Sequence, residues 1–183
     1  MKKGELKSRR GFTVIEVALV LAIAGLIFLM VFVALPGLRT SQRDTERRED
    51  VMNFLSNLKK YQTNNRGALP TKDNGGREEY SYNSSLAGTG VTWEYFYRDY
   101  LGENFMDPNG VNYTLVVKKC SAMAANRDCE NVNLSNSLFP NDYKIYVVTK
   151  ATCSGEKAVG TSNPRKVAVL YKLEGAGVYC NNT

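Results

Sequence analysis

Residues 12–35 form an apolar run of 24 residues whose single ionisable side chain is Glu16. A chain with such a run must bury it against itself, give it to a membrane, or give it to other subunits. At about 1.5 Å per residue, a helix of this length reaches roughly 36 Å, enough to cross a bilayer core of about 30 Å. Lys2, Lys3, Lys7, Arg9 and Arg10 precede the run, and a cationic flank of this kind favours the cytoplasmic side of a membrane. An ordinary secretory signal has an apolar core of about 7 to 15 residues with a small-residue cleavage site beyond it. Here the run is longer and continues into Leu35-Pro36-Gly37-Leu38-Arg39. A plain single-span anchor carrying an extracellular binding domain accounts for the length and the charges. It leaves Glu16 unexplained, because an unpaired carboxylate in hydrocarbon costs several kcal/mol.

The string Gly11-Phe12-Thr13-Val14-Ile15-Glu16, with cations before it and the apolar run after it, resembles the processing site of type IV pilins and pseudopilins. The resemblance implies a leader, residues 1–11, cut between Gly11 and Phe12 by a prepilin peptidase, with methylation of the new Phe12 amine. It also implies that Glu16 pairs with that amine during assembly. The expectation is therefore a structural subunit and not an enzyme. It would be held in the membrane by one span, then drawn by the pilus assembly machinery into a helical homopolymer on the cell surface, serving adhesion and twitching motility. No cofactor is expected. A type II secretion pseudopilin shares every one of these N-terminal features, and a DNA-uptake competence pilin is a further alternative. In many pilin filaments the stretch between a glycine and a proline of this segment loses helix. Gly25, Pro36 and Gly37 are the candidates here, with Pro36 somewhat later than the usual family position.

The net charge of +6 gives little reason to infer a nucleic-acid partner. The leader's five cations against Glu5 account for four of these charges, leaving +2 on residues 12–183. Catalytic material is sparse, since the chain has no histidine and hence no Ser-His or Cys-His pair.

The four cysteines, Cys120, Cys129, Cys153 and Cys180, all follow the apolar run and none is spaced as C-x-x-C. In an exported domain an even count suggests two disulfides, with three possible pairings. Cys120–Cys129, closing a local loop, and Cys153–Cys180, tying a strand to the last residues, are the expected pairs. The second also looks like the C-terminal disulfide loop of many pilins.

Beyond the span, Arg39, Arg43, Asp44, Glu46, Arg47, Arg48, Glu49 and Asp50 alternate in sign and read as a solvated or salt-bridged stretch. Val51, Phe54, Leu55, Leu58 and Tyr61 then recur at helical spacing, as one face of a helix docked on a core. The pattern predicts a helix over about 12–63, broken or bent near Pro36-Gly37. Its parts are an apolar section, residues 12–37, and an amphipathic section, residues 38–63, followed by a globular head, residues 64–183. Trp93, Tyr95, Phe96, Tyr97, Tyr100 and Phe105 predict a short helix over 92–101 that packs its rings onto the head, the alternative being a subunit or ligand contact. Lys72-Asp73-Asn74-Gly75-Gly76 and Ala87-Gly88-Thr89-Gly90 read as turns. Strand-like alternation appears over 111–119, 143–149, 166–173 and 178–180, with Glu174-Gly175-Ala176-Gly177 as a tight turn. The fold expected is α+β, the pilin lollipop: a long N-terminal helix on an antiparallel meander of about four strands.

Asp107-Pro108-Asn109-Gly110 is a strong turn ahead of the first strand. It also resembles a turn of major secretion pseudopilins where oxygens can hold calcium. Asp107, Glu103 and Asn109 are the candidate donors, well short of the six to eight oxygens that calcium takes. No metal is expected.

Overall fold

The computed structural model describes residues 11–73, 75–86, 89–121, 127–129, 143–175 and 177–183. The expected leader, except Gly11, lies outside the described residues, as do Asn74, Ala87, Gly88 and Ala176. The chain divides into two compact units, Met1–Arg39 and Thr40–Thr183.

In the first unit, helix α1 (Val14–Asn64) begins and continues through the boundary. Its apolar side chains are exposed among the described residues of the unit: Phe12 is 90% exposed, Phe32 72% and Leu29 66%. By length and composition this helix can cross a membrane. The break expected at Pro36-Gly37 is absent, since helix runs unbroken through both residues. Proline costs a helix about 3 kcal/mol, but flanking Leu29, Met30, Ala34, Leu35 and Leu38 are strong helix formers that sustain it on either side.

The second unit is an α+β head. Strands β1 (Glu79–Tyr80), β2 (Thr114–Lys119), β3 (Lys144–Thr149), β6 (Val167–Lys172) and β7 (Val178–Asn182) form one sheet in the order β1-β2-β3-β6-β7. Strands β4 (Ala151–Ser154) and β5 (Lys157–Gly160) form a separate hairpin. The antiparallel meander of about four strands expected from sequence is corrected in two respects: there are five strands and a separate hairpin, and β2 and β3 are parallel, with Leu115 beside Ile145 and Val117 beside Val147. Parallel neighbours need a crossover of a dozen or more residues. The segment between Lys119 and Lys144 supplies it.

Side-chain alternation along these strands separates two cores. Leu115, Val117, Ile145, Val147, Val167, Val169 and Tyr171 belong to the core that takes the α1 face Val51, Phe54, Leu55, Leu58 and Tyr61. Val148, Ala168 and Leu170 join Ala151 and Ala158 of the β4–β5 hairpin in the other. Both faces of the sheet are therefore covered.

The aromatic patch goes inward. Helix α2 (Trp93–Phe96) runs into a π-helical turn, Tyr97–Leu101, and Trp93, Phe96, Tyr97 and Phe105 are buried. Phe96 meets Phe54, Tyr61 and Trp93 edge-on, with ring centroids 5.6 to 5.7 Å apart. Such pairs add about 0.5–1.5 kcal/mol each beyond burial. The buried Tyr97 hydroxyl donates to the carbonyls of Phe105 and Tyr113 at 3.1 and 2.8 Å.

Candidate functional site

Residues 11–13 open the described chain, exposed and outside regular secondary structure, and α1 starts at Val14. Among the described residues a Cβ on Gly11 would meet nothing within 4 Å, and its φ lies outside the left-handed range. The fold of the chain thus gives no reason for glycine there. The same holds for Gly25 and Gly37, exposed in the helix with open space where a side chain would stand.

Glu16 has a local role that sequence reading missed. Its Oε2 accepts the Thr13 backbone N–H at 2.8 Å and the Thr13 hydroxyl at 2.9 Å, while Thr13 Oγ1 accepts the Glu16 N–H at 3.3 Å. This is a capping box, Thr-x-x-Glu, satisfying donors that a helix start leaves unpaired. The Thr13-to-Glu16 spacing was the available signal. Phe12, at 90% exposure, precedes the cap directly.

In the head, the charged stretch is not all solvated. Asp44 and Arg47 lie two turns and one turn before Val51 on the same helical face, and both are buried. Arg47 is 2% exposed and makes a two-point contact with Asp107, Nε to Oδ2 at 2.7 Å and Nη2 to Oδ1 at 3.2 Å. Its Nη2 also donates to Glu174 at 2.7 Å and its Nη1 to Asp44 at 3.2 Å. Arg43 meets the same Glu174 carboxylate at 2.7 Å. The Asp44 carboxylate accepts the backbone N–H groups of Glu174 and Gly175 at 2.9 and 2.8 Å. Gly175 permits that approach, since a Cβ there would stand 3.0 Å from Asp44 Oδ2. The network joins the helix to the β6–β7 turn and to the turn at Asp107.

The electrostatics follow from these contacts. Burial works against the Asp107 charge, but Arg47, the Asn109 N–H and Tyr171 hold the carboxyl below its ordinary range. Burial likewise opposes the Glu174 charge, and Arg47 and Arg43 outweigh it, lowering that carboxyl too. Arg47 itself is desolvated, yet its acidic partners hold it more firmly protonated than a free arginine. Asp50 goes the other way: burial and the neighbouring carboxylates Asp107, Glu46 and Glu49 raise it, against the hydrogen bond donated by Tyr113 at 2.8 Å.

Asp107, the first of the calcium candidates, is therefore committed elsewhere. It is 1% exposed, and its oxygens accept from Arg47, from Tyr171 at 3.1 Å and from the Asn109 N–H at 2.9 Å. Glu103 is exposed, and Asn109 contributes to this arrangement through its backbone. Among the described residues no three His, Cys, Asp or Glu side chains cluster as a metal site.

Both disulfides are present, Cys120–Cys129 and Cys153–Cys180. The second joins the β4–β5 hairpin to β7, and the first borders the core beneath that hairpin. No protein-family model, curated protein or solved structure matches this chain.

Proposed function

We propose that the chain is a type IV pilin-like subunit, held in the membrane by its apolar helix and then polymerised through that helix into a cell-surface filament. The observation that carries the reading is the junction at Gly11-Phe12. A glycine for which the chain's own fold has no use stands between a basic leader and an unpartnered apolar helix that begins with a carboxylate. A peptidase site that admits only a residue without a side chain gives Gly11 its reason. Neighbouring subunits give the exposed helix its partners. A free Phe12 amine, created by the cut, gives Glu16 a counter-charge beyond its capping bonds.

Mass spectrometry of the extracellular form tests the cut: the mature chain should begin at Phe12, and one beginning at Met1 or beyond Leu35 would remove the basis of the proposal. The two roles of Glu16 separate in Glu16→Gln, which keeps an oxygen for the Thr13 cap and loses the charge. On the filament reading this variant is cleaved and assembles poorly under the electron microscope, since stranding one member of a buried ion pair costs about 3–5 kcal/mol. Normal fibre yield would mean that Glu16 is a cap and nothing more. Fibres that form only as short stubs alongside a secretion apparatus would place the chain with the pseudopilins. On assembly, irregular backbone is expected between Gly25 and Gly37, shielded from lipid by neighbouring subunits. A filament map with continuous helix there would contradict it.

A further inference from the structure

Where α1 ends, the chain turns back through two consecutive left-handed residues, Arg66 (φ 55°) and Gly67 (φ 80°). The Gly67 N–H donates to the Gln62 carbonyl at 2.6 Å, and the Asn65 side-chain amide donates to the Tyr61 carbonyl at 2.9 Å. The Tyr61 and Gln62 carbonyls in the last turn of the helix are thus already paired. Against this turn lies the loop that leads into β6. Asn163 Oδ1 accepts the Arg165 N–H at 2.9 Å, and the Arg165 carbonyl accepts Gln62 Nε2 at 3.0 Å. The fit is close, since a Cβ on Gly67 would come 3.2 Å from the Arg165 guanidinium. Between the two elements is an open cleft of about 630 Å³ lined by Lys59, Arg66, Arg165 and Lys166 together with Gln62 and Asn163.

Several cations of the head are neutralised by a near neighbour. Arg43, Arg47, Lys72, Arg77, Lys144 and Lys157 each have a carboxylate partner. Among the described residues none of the four cleft cations forms an ion pair with Asp or Glu; Lys166 reaches the Thr183 carbonyl oxygen instead. Lys59, Arg66, Arg165 and Lys166 thus gather around one concavity, set by two elements held together by hydrogen bonds. Four like charges converging on one concavity repel each other, and an anion seated there relieves that repulsion.

The lining also indicates the kind of anion. No aromatic ring lines the cleft among the described residues, so nucleic-acid bases find no stacking surface. The remaining amide atoms, Gln62 Oε1 and Asn163 Nδ2, suit hydroxyl groups, and the two guanidinium groups suit planar or tetrahedral oxyanions. We propose that this cleft is a binding site for an acidic saccharide, with Lys59, Arg66, Arg165 and Lys166 meeting its sulfate or carboxylate groups and the two amides meeting its hydroxyls. The site lies wholly in the head and does not depend on polymerisation.

The test uses the full-length chain in neutral detergent micelles at about 0.15 M salt, where long-range attraction is screened to roughly 8 Å. It is titrated by calorimetry with a heparin hexasaccharide, with maltohexaose as the uncharged counterpart and oligothymidine as the nucleic-acid counterpart. The heparin hexasaccharide should bind and maltohexaose should not. Affinity should fall about tenfold or more in Arg66→Gln/Arg165→Gln, and about threefold in the milder Lys59→Gln. Lys118→Gln/Lys119→Gln, which removes as much charge from β2, should bind as the wild type does. An unchanged melting temperature identifies the variants whose affinities are compared. Absence of heparin binding, equal weakening by the β2 substitutions, or tighter binding of oligothymidine through the same arginines would each overturn the assignment.

Discussion

One helix serves the two units of this protein in opposite ways. Before residue 40, α1 presents Phe28, Phe32, Leu29 and their neighbours to the surroundings, 64 to 72% exposed. After residue 40, the same helix buries Val51, Phe54, Leu58 and Tyr61 to within a few per cent. The backbone geometry is the same, and what differs is where the partner comes from. The second stretch is amphipathic and finds its partner in the sheet of its own unit, whereas the first is apolar all round and, among the described residues, stays exposed. A helix apolar on every side needs a surrounding phase and not a single face to dock on. Head stability thus rests on the second stretch, and on the filament reading proposed above assembly rests on the first.

Paired truncations break or sharpen that comparison most directly. Phe54→Ala should cost the head about 3–5 kcal/mol, the usual range for deleting a buried phenylalanine. Phe32→Ala should leave head unfolding unchanged while impairing fibre formation. Thermal unfolding of the full chain in detergent, followed by near-ultraviolet circular dichroism, reads the first, and fibre yield reads the second. Equal loss of head stability in both would mean that the exposed stretch has a partner within the chain.

Arg47→Met should have an effect of similar size, about 3–5 kcal/mol, because it strands the carboxylates of Asp107, Glu174 and Asp44. The pH dependence has a definite sign. Asp107 and Glu174 are held below their ordinary values of 3.8 and 4.5, so their contribution is complete above those values and is lost as pH falls through the lowered ones. The wild-type head should therefore weaken progressively below about pH 4.5, and Arg47→Met should show a shallower acid limb. Identical acid limbs would show that these carboxyls do not control acid stability.

Next come the disulfides. Loop-closure entropy gives about 3.5 kcal/mol for Cys153–Cys180 and about 2.6 kcal/mol for the shorter Cys120–Cys129 loop. Serine replacement of the first pair should thus lower the unfolding midpoint in denaturant more than replacement of the second. The reverse order would mean that the segment closed by Cys120–Cys129 bears more of the head's stability than its loop length implies.

The smallest effect is expected at Asp50. Its carboxyl is raised, so its charged form weakens the fold at neutral pH, and the deficit closes as pH falls through the raised value. Asp50→Asn keeps an acceptor for the Tyr113 hydroxyl and should stabilise the head by less than about 1 kcal/mol at pH 7, with no advantage in acid. Destabilisation at pH 7 would instead indicate that the ionised carboxylate is needed.

Much of this was legible in the chain. Period-two alternation placed β2, β3, β6 and β7, and the 3.6-residue stripe from Val51 to Tyr61 placed the docked face of α1. Loop logic favoured both disulfides. The misses have physical causes. Strand β1 is two residues long and carries no period. The β4–β5 hairpin is built from short, partly polar runs around Gly155, and only that glycine, at φ 60°, announces it. The parallel β2–β3 pair was concealed by assuming local connections, although the separation between the two strands allowed a crossover. The stretch from Arg39 to Asp50 read as solvated or salt-bridged, and Arg43, Asp44 and Arg47 take the second course; what charge concealed was their burial, although the spacing of Asp44 and Arg47 continues the apolar stripe backwards.

The Arg43–Glu174 contact spans a sequence separation of 131 residues, nearly the whole head. Closing a flexible loop of that size costs about 4 kcal/mol in chain entropy before any constant term. A contact so distant becomes affordable only once the strands between have already shortened the path. The ion network at the helix is thus expected to form late, after the folding transition state. Substitutions there should speed unfolding and leave the folding rate nearly untouched, which stopped-flow measurements on Arg43→Met would read as a φ-value near zero. In kinetic terms the network is a latch set after the head is built, and its strength governs how long a finished head stays closed.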